Sequence, residues 1–216
     1  MENTSARAAR AAAFDRWLSN ARATDGGEFE RPEHELLAEH YMMDLALAAM
    51  DEEARQLLRG SELRPDFWRT AVEFIGDFTH RVHRVKEEQV FFPALCEWGL
   101  LEPEQAEHLA HEHESLGQLT LELYDAIGES DWEKAFRVVA SYLGRIRPHL
   151  EAEELRLLSP KLAEIPDERM VPIFDRFRAV ERDVLGPDGR RKLMELTQRL
   201  CRQVGLADLH EEVNAW

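Results

Sequence analysis

The sequence predicts an all-α protein. Three observations carry that prediction. No segment alternates apolar and polar residues with the period of a strand. Apolar residues instead recur at three- and four-residue spacing over long stretches, and Pro and Gly mostly fall between those stretches. Four such stretches, joined by short connections, predict an up-down-up-down four-helix bundle with additional C-terminal helices.

Taken in order, residues 1–31 form an N-terminal extension in which Arg7, Arg10, Arg16 and Arg22 alternate with alanines. Phe14, Trp17 and Leu18 are its large apolar group. The bundle is expected over residues 32–165. Pro32 opens its first helix, since proline is tolerated in a first turn, and Leu36, Leu37, His40, Met43, Leu47 and Met50 make the inner stripe up to Gly60. The second helix starts at Pro65, runs through Phe67, Trp68, Ile75, His83, Glu87 and Phe91, and stops near Gly99. A third, from Pro103 to about Gly128, carries Leu109, His113, Leu116 and Leu123. The fourth is capped by Ser130 or Asp131 and carries Leu143, His149, Glu153 and Leu157, with a kink or bulge expected at Pro148 because proline removes a helical hydrogen bond. Residues 166–216 form a C-terminal extension expected to pack on the bundle, with helices over Asp167–Leu185 and Arg190–Val204 separated by Gly186-Pro187-Asp188-Gly189.

A chain of 216 residues with 44% hydrophobic and 32% charged residues can bury a substantial core. Its net charge of −16 argues against nucleic acid and against anionic membrane as partners, because phosphate would be repelled. Cys96 and Cys201 lack CxxC spacing, which removes zinc-knuckle and thioredoxin-like readings and suits reduced thiols in the cytoplasm. No stretch is apolar over 18 residues and Met1–Ala13 has no signal-type apolar core, so a cytoplasmic protein is expected. Neither a GxSxG turn nor a phosphate-cradling glycine loop occurs.

Chemistry concentrates in one motif. His83-Arg-Val-Lys-Glu87-Glu88 recurs as His149-Leu-Glu-Ala-Glu153-Glu154, each followed two residues later by a pair of apolar residues ahead of a proline. A glutamate four positions after a histidine lies on the same helix face about one turn along, so the two side chains can grip one cation. A single such pair is common on charged helices; the repetition is not. The second acids, Glu88 and Glu154, are rotated by about 100° and are expected to face solvent or the rim.

At about 1.5 Å per residue, His40 and His113 lie roughly 10–15 Å into their helices, and His83 and His149 roughly 27 Å into helices of opposite direction. That alternation sets all four imidazoles at one level. With Glu87 and Glu153 they can supply two metal ions, each taking two histidines while the carboxylates bridge. The halves also mirror each other, Glu39-His40 matching Glu112-His113.

These motifs resemble those of the hemerythrin-like, HHE cation-binding family over about residues 33–165. The matching residues are Glu39-His40, His83 to Pro93, Glu112-His113-Glu114 and His149 to Pro160. The resemblance implies a pair of iron ions, bridged by oxo or hydroxo and carboxylate groups, held by His40, His83, Glu87, His113, His149 and Glu153. Mixed nitrogen and oxygen donors also suit manganese or zinc. Oxygen-carrying members place another histidine one turn before the third-helix ligand, where this chain has Leu109. His80, three residues before His83, is the candidate substitute, as a fifth ligand or as a hydrogen-bonded histidine behind the ligands. Tyr142 shares the face of His149 and is a second candidate for contact with the site. A ferritin-type centre would need ExxH on two helices, and only Asp77-Phe78-Thr79-His80 comes near.

The function expected is binding, sensing or reaction of a small molecule such as dioxygen, nitric oxide or peroxide, or a response to iron; store, sensor and enzyme all fit. The alternative is a helical protein-interaction module with a structural metal site.

Overall fold

A computed structural model describes residues 31–157 and 159–206. The N-terminal helix expected around Trp17, and the tail with His210, lie outside those residues. Among the described residues every regular element is helical.

Helix α1 (Pro32–Leu58) begins with proline and has Glu33 and Glu35 in its first turn, where carboxylates favour the positive helix end. The chain leaves it at Gly60 with φ of +91°, which glycine adopts without steric cost. Helix α2 starts as Pro65–Phe74 and continues without a break to Phe92–Glu97, passing through two wider π-helical segments, Ile75–His83 and Glu87–Phe91. Helix α3 (Pro103–Gly128) again opens on proline. Helix α4 (Trp132–Leu157) is capped by Asp131, whose carboxylate accepts the Lys134 N–H at 3.0 Å. A short turn, Leu162–Glu164, leads to α5 (Asp167–Leu185) and α6 (Gly189–Gln203).

The expected bulge does not fall at Pro148. Pro148 sits inside an unbroken α4, whereas the π-helical segments fall in α2, around His83 and Glu87. Such segments insert an extra residue into a turn and re-aim the side chains that follow, and they occur often at functional sites.

The inner faces carry Leu36, Met43, Met50, Phe67, Trp68, Phe74, Phe78, Leu123 and Tyr142, each at most 2% exposed. Burying one such large side chain stabilises by about 1.5–3 kcal/mol. Helices α3 and α4 share the largest interface, α1 packs on α4, and the first part of α2 packs on α3. Helices α5 and α6 lie chiefly against α1 and α2. No described helix is long and apolar enough to cross a membrane.

Candidate metal centre

Because polar residues interrupt the apolar stripes of α1–α4 at one level, their side chains meet in the interior. His40 is fully buried, and His83, His113 and His149 are at most 5% exposed. His40, His83, Glu87 and Glu153 form one group able to hold a cation, and His113, His149 and Glu153 a second; Glu153 belongs to both. The paired rings meet edge to face, with centroids 4.9 Å apart for His40–His83 and 4.5 Å for His113–His149.

Each imidazole is used at both nitrogens, and the two ends face different partners. All four Nδ1 atoms bond a carboxylate from a neighbouring helix: His83 to Glu39 at 2.7 Å, His113 to Glu88 at 2.9 Å, His149 to Glu112 at 2.9 Å and His40 to Glu154 at 3.1 Å. A carboxylate accepts, so each Nδ1 carries the proton, and a neutral ring then presents a lone pair at Nε2. Those Nε2 atoms turn inward. His40 Nε2 and His83 Nε2 are 3.2 Å apart, close to the roughly 3 Å expected for two nitrogens bound at a right angle to one cation at 2.0–2.1 Å.

The carboxylates complete the case. Glu87 and Glu153 are at most 2% exposed, and all four of their oxygens accept no hydrogen bond. Imidazole nitrogens approach them without hydrogen-bond alignment: His149 and His113 reach Glu153 at 3.1 and 3.2 Å, and His83 and His113 reach Glu87 at 3.3 and 3.4 Å. Buried carboxylate oxygens with no partner are costly unless a cation neutralises them. The donor set therefore fits metal ions.

Electrostatics point the same way. Burial alone would lower the His40 pKa, yet Glu154, Glu87 and Glu153 hold it up to about 10. Burial likewise opposes, and Glu153, Glu87 and Glu88 outweigh it, to bring His113 up to about 12. His83 and His149 are raised too, against burial, chiefly by Glu87 and Glu153 respectively. Burial and Glu87 would raise Glu153, but His149 and His113 hold it down to about 2. Positive charge is what this cavity demands, as protons or as metal, and the two compete.

His80 belongs to neither group. The Thr120 hydroxyl donates to the Leu116 carbonyl at 3.0 Å, so the 2.8 Å contact with His80 Nε2 has the histidine donating. The ring is neutral, held down to about 4 by burial and by Arg84 and His113. His80 thus lines, with His83, His113 and His149, a cavity of about 10 Å³ walled by Met43, Leu116, Ile146 and Leu150. Tyr142 is 1% exposed and its hydroxyl meets Thr79. His108 and His111 are exposed, as their helix positions suggest.

One expectation fails in part. Glu154 is 1% exposed rather than at the rim, whereas Glu88, 23% exposed, does lie at the rim; both orient a histidine on the next helix. Sequence reasoning also gave no role to Glu39 and Glu112, although their place directly before a histidine in both EH pairs was the available signal.

The fold and the site define a helical protein whose buried His/Glu clusters can hold metal. Comparison of the chain with protein-family models, curated proteins and solved structures finds no match.

Proposed function

We propose that this chain is a hemerythrin-like, HHE-type protein. In this reading α1–α4 form an up-down-up-down bundle over residues 32–165, and residues 166–216 cover it. Two metal ions are held by His40, His83, Glu87, His113, His149 and Glu153. The metals are iron by the sequence resemblance, and their function is to bind, sense or react with dioxygen, nitric oxide or peroxide, or to respond to iron.

The observation that carries the reading is the division of labour on the four imidazoles. Every Nδ1 is spent on a carboxylate, while the Nε2 atoms turn toward Glu87 (His83), Glu153 (His149) or both (His40 and His113), whose oxygens lack hydrogen-bond partners. Chain direction supports the bundle. The cavity beyond the imidazoles is lined three residues after His40 and His113, by Met43 and Leu116, but three residues before His83 and His149, by His80 and Ile146. Successive helices of opposite sense would give this pattern.

Reduced iron supplies electrons and a position for a small ligand. The protein residues set what reaches it. Glu39, Glu88, Glu112 and Glu154 fix ring orientation and keep each Nδ1 protonated. Met43, Leu116, Ile146 and Leu150 give the cavity of about 10 Å³ beside the imidazoles an apolar wall, and its space is about that of one water-sized molecule.

Metal analysis of protein from iron-supplemented cells tests the reading, followed by anaerobic reduction and exposure to dioxygen, nitric oxide and peroxide in turn. Two metals per chain, lost in His83→Ala, and a reversible absorption change with one gas support binding; irreversible consumption supports turnover. Well under one metal per chain, unchanged in His83→Ala, leaves the helical interaction module.

A further inference from the structure

The pseudo-two-fold arrangement of motifs hides a difference between the two halves. The carboxylates behind His40 and His83 are buried: the Glu154 side chain is 1% exposed and that of Glu39 is 5% exposed. Those behind His149 and His113 reach solvent, with the Glu112 side chain 39% exposed and that of Glu88 23%. The other oxygen of Glu112 lies 3.5 Å from His108, itself an exposed surface residue.

Glu39 has a further tie that Glu112 lacks. Its second oxygen meets the ammonium of Lys86, which is fully buried. Lys86 Nζ also bonds Glu35 at 2.6 Å and Glu181 of α5 at 2.6 Å. Arg190 of α6 closes the cluster, reaching Glu181 at 2.6 Å and Glu35 at 3.0 Å. Glu35, Glu39 and Glu181 stand close enough to hold a cation between them, and the lysine is that cation. A line of contacts thus runs from both C-terminal helices through Lys86 and Glu39 to the Nδ1 of His83.

Release of a metal requires a histidine to swing away from it. For His149 the carboxylate left behind is already wet, and water can replace the imidazole N–H. For His83 the same motion strands a Glu39 oxygen without its N–H donor, inside a cluster that already sets three carboxylates, Glu35, Glu39 and Glu181, against two cations, Lys86 and Arg190.

Resting on the metal-binding reading above, we propose that the two metal positions are inequivalent: the His40/His83 position is locked by α5 and α6 through Lys86, which acts as a positioning residue, while the His113/His149 position exchanges with solvent. Cations then enter and leave through the α3–α4 side.

The test uses the full chain loaded with Zn²⁺ and challenged with excess colorimetric chelator, following metal release over time. The wild type releases one Zn²⁺ per chain quickly and one slowly. Lys86→Met and Glu181→Gln speed the slow phase about 10- to 100-fold and leave the fast phase alone, while Glu112→Gln speeds only the fast phase. Glu181→Gln keeps Lys86 paired with Glu35 and Glu39, so it serves if Lys86→Met does not fold; circular dichroism checks helicity in each. A single release phase for both ions, or a slow phase unchanged within about twofold in a folded Glu181→Gln, overturns the proposal. Wild type that takes up less than one Zn²⁺ per chain removes the metal-binding reading itself.

Discussion

Glu153 is the side chain shared by both cation groups, so replacing it by glutamine separates two accounts of the centre. If the cavity is a charge-matched cage, its carboxylate is held in place by imidazoles. The gap between about 2 in the folded chain and the ordinary 4.5 corresponds to about 3 kcal/mol. A carboxyl held low contributes fully above its unfolded value and loses that contribution only as pH falls through about 2, so at pH 7 all of it is present. Metal-free Glu153→Gln should therefore unfold about 6–12 °C below the metal-free wild type, at about 2–4 °C per kcal/mol for a chain of this size. It should also bind fewer than one metal per chain. The opposing account treats Glu87 and Glu153 as two buried acids repelling each other, and then the same substitution relieves repulsion and stabilises. Thermal unfolding after chelation, with metal analysis of the loaded protein, decides. A variant that melts at or above wild type, or still holds two metals, refutes the cage.

Four further outcomes are expected. His40, raised to about 10 from an ordinary 6.5, contributes stability fully present below 6.5 and lost as pH rises through about 10. Metal-free protein should thus melt lower at pH 9 than at pH 6, and the metal-loaded protein should gain over it at pH 9, where fewer protons compete; melting curves at both pH values check this. Glu154→Gln should weaken one of the two metals about 10- to 100-fold, measured by competition with a chelator, through loss of the His40 Nδ1 partner. His80→Ala should keep two metals per chain, because its Nε2 is committed to Thr120; loss of one metal on analysis would make it a ligand. Trp68→Ala, deleting a side chain 1% exposed, should cost about 3–5 kcal/mol in urea unfolding.

What could be read from the sequence was whatever obeys helical period. Helix boundaries followed from Pro32, Pro65, Pro103 and Asp131 at their starts, and the interior level followed from counting residues to His40, His83, His113 and His149. What escaped was contact between helices. Lys86 reads as an ordinary solvated lysine in a charged run, since nothing local reveals that Glu35, Glu181 and Arg190 will surround it. The π-helical segments of α2 escaped as well. Pro148 has a known local cost, which predicts a kink or bulge, whereas no proline or other local breaker marks the π-helical segments Ile75–His83 and Glu87–Phe91.

The burial of Glu154 has a physical reason. Rotation by about 100° from the inward direction does not by itself mean outward. In a helix with neighbours on both flanks, that rotation points along the seam with an adjacent helix. The EH pairs step about 100° one way and the HxxxEE acids step about 100° the other. Glu39 of α1 therefore serves His83 of α2, Glu88 of α2 serves His113 of α3, Glu112 of α3 serves His149 of α4, and Glu154 of α4 returns to His40 of α1. The circuit closes only when all four helices are docked, because each imidazole is oriented by a different helix from the one that carries it. A cation site built this way is bound to assembly of the whole core, which is why doubling of both motifs, rather than either one alone, is the informative signal in the sequence.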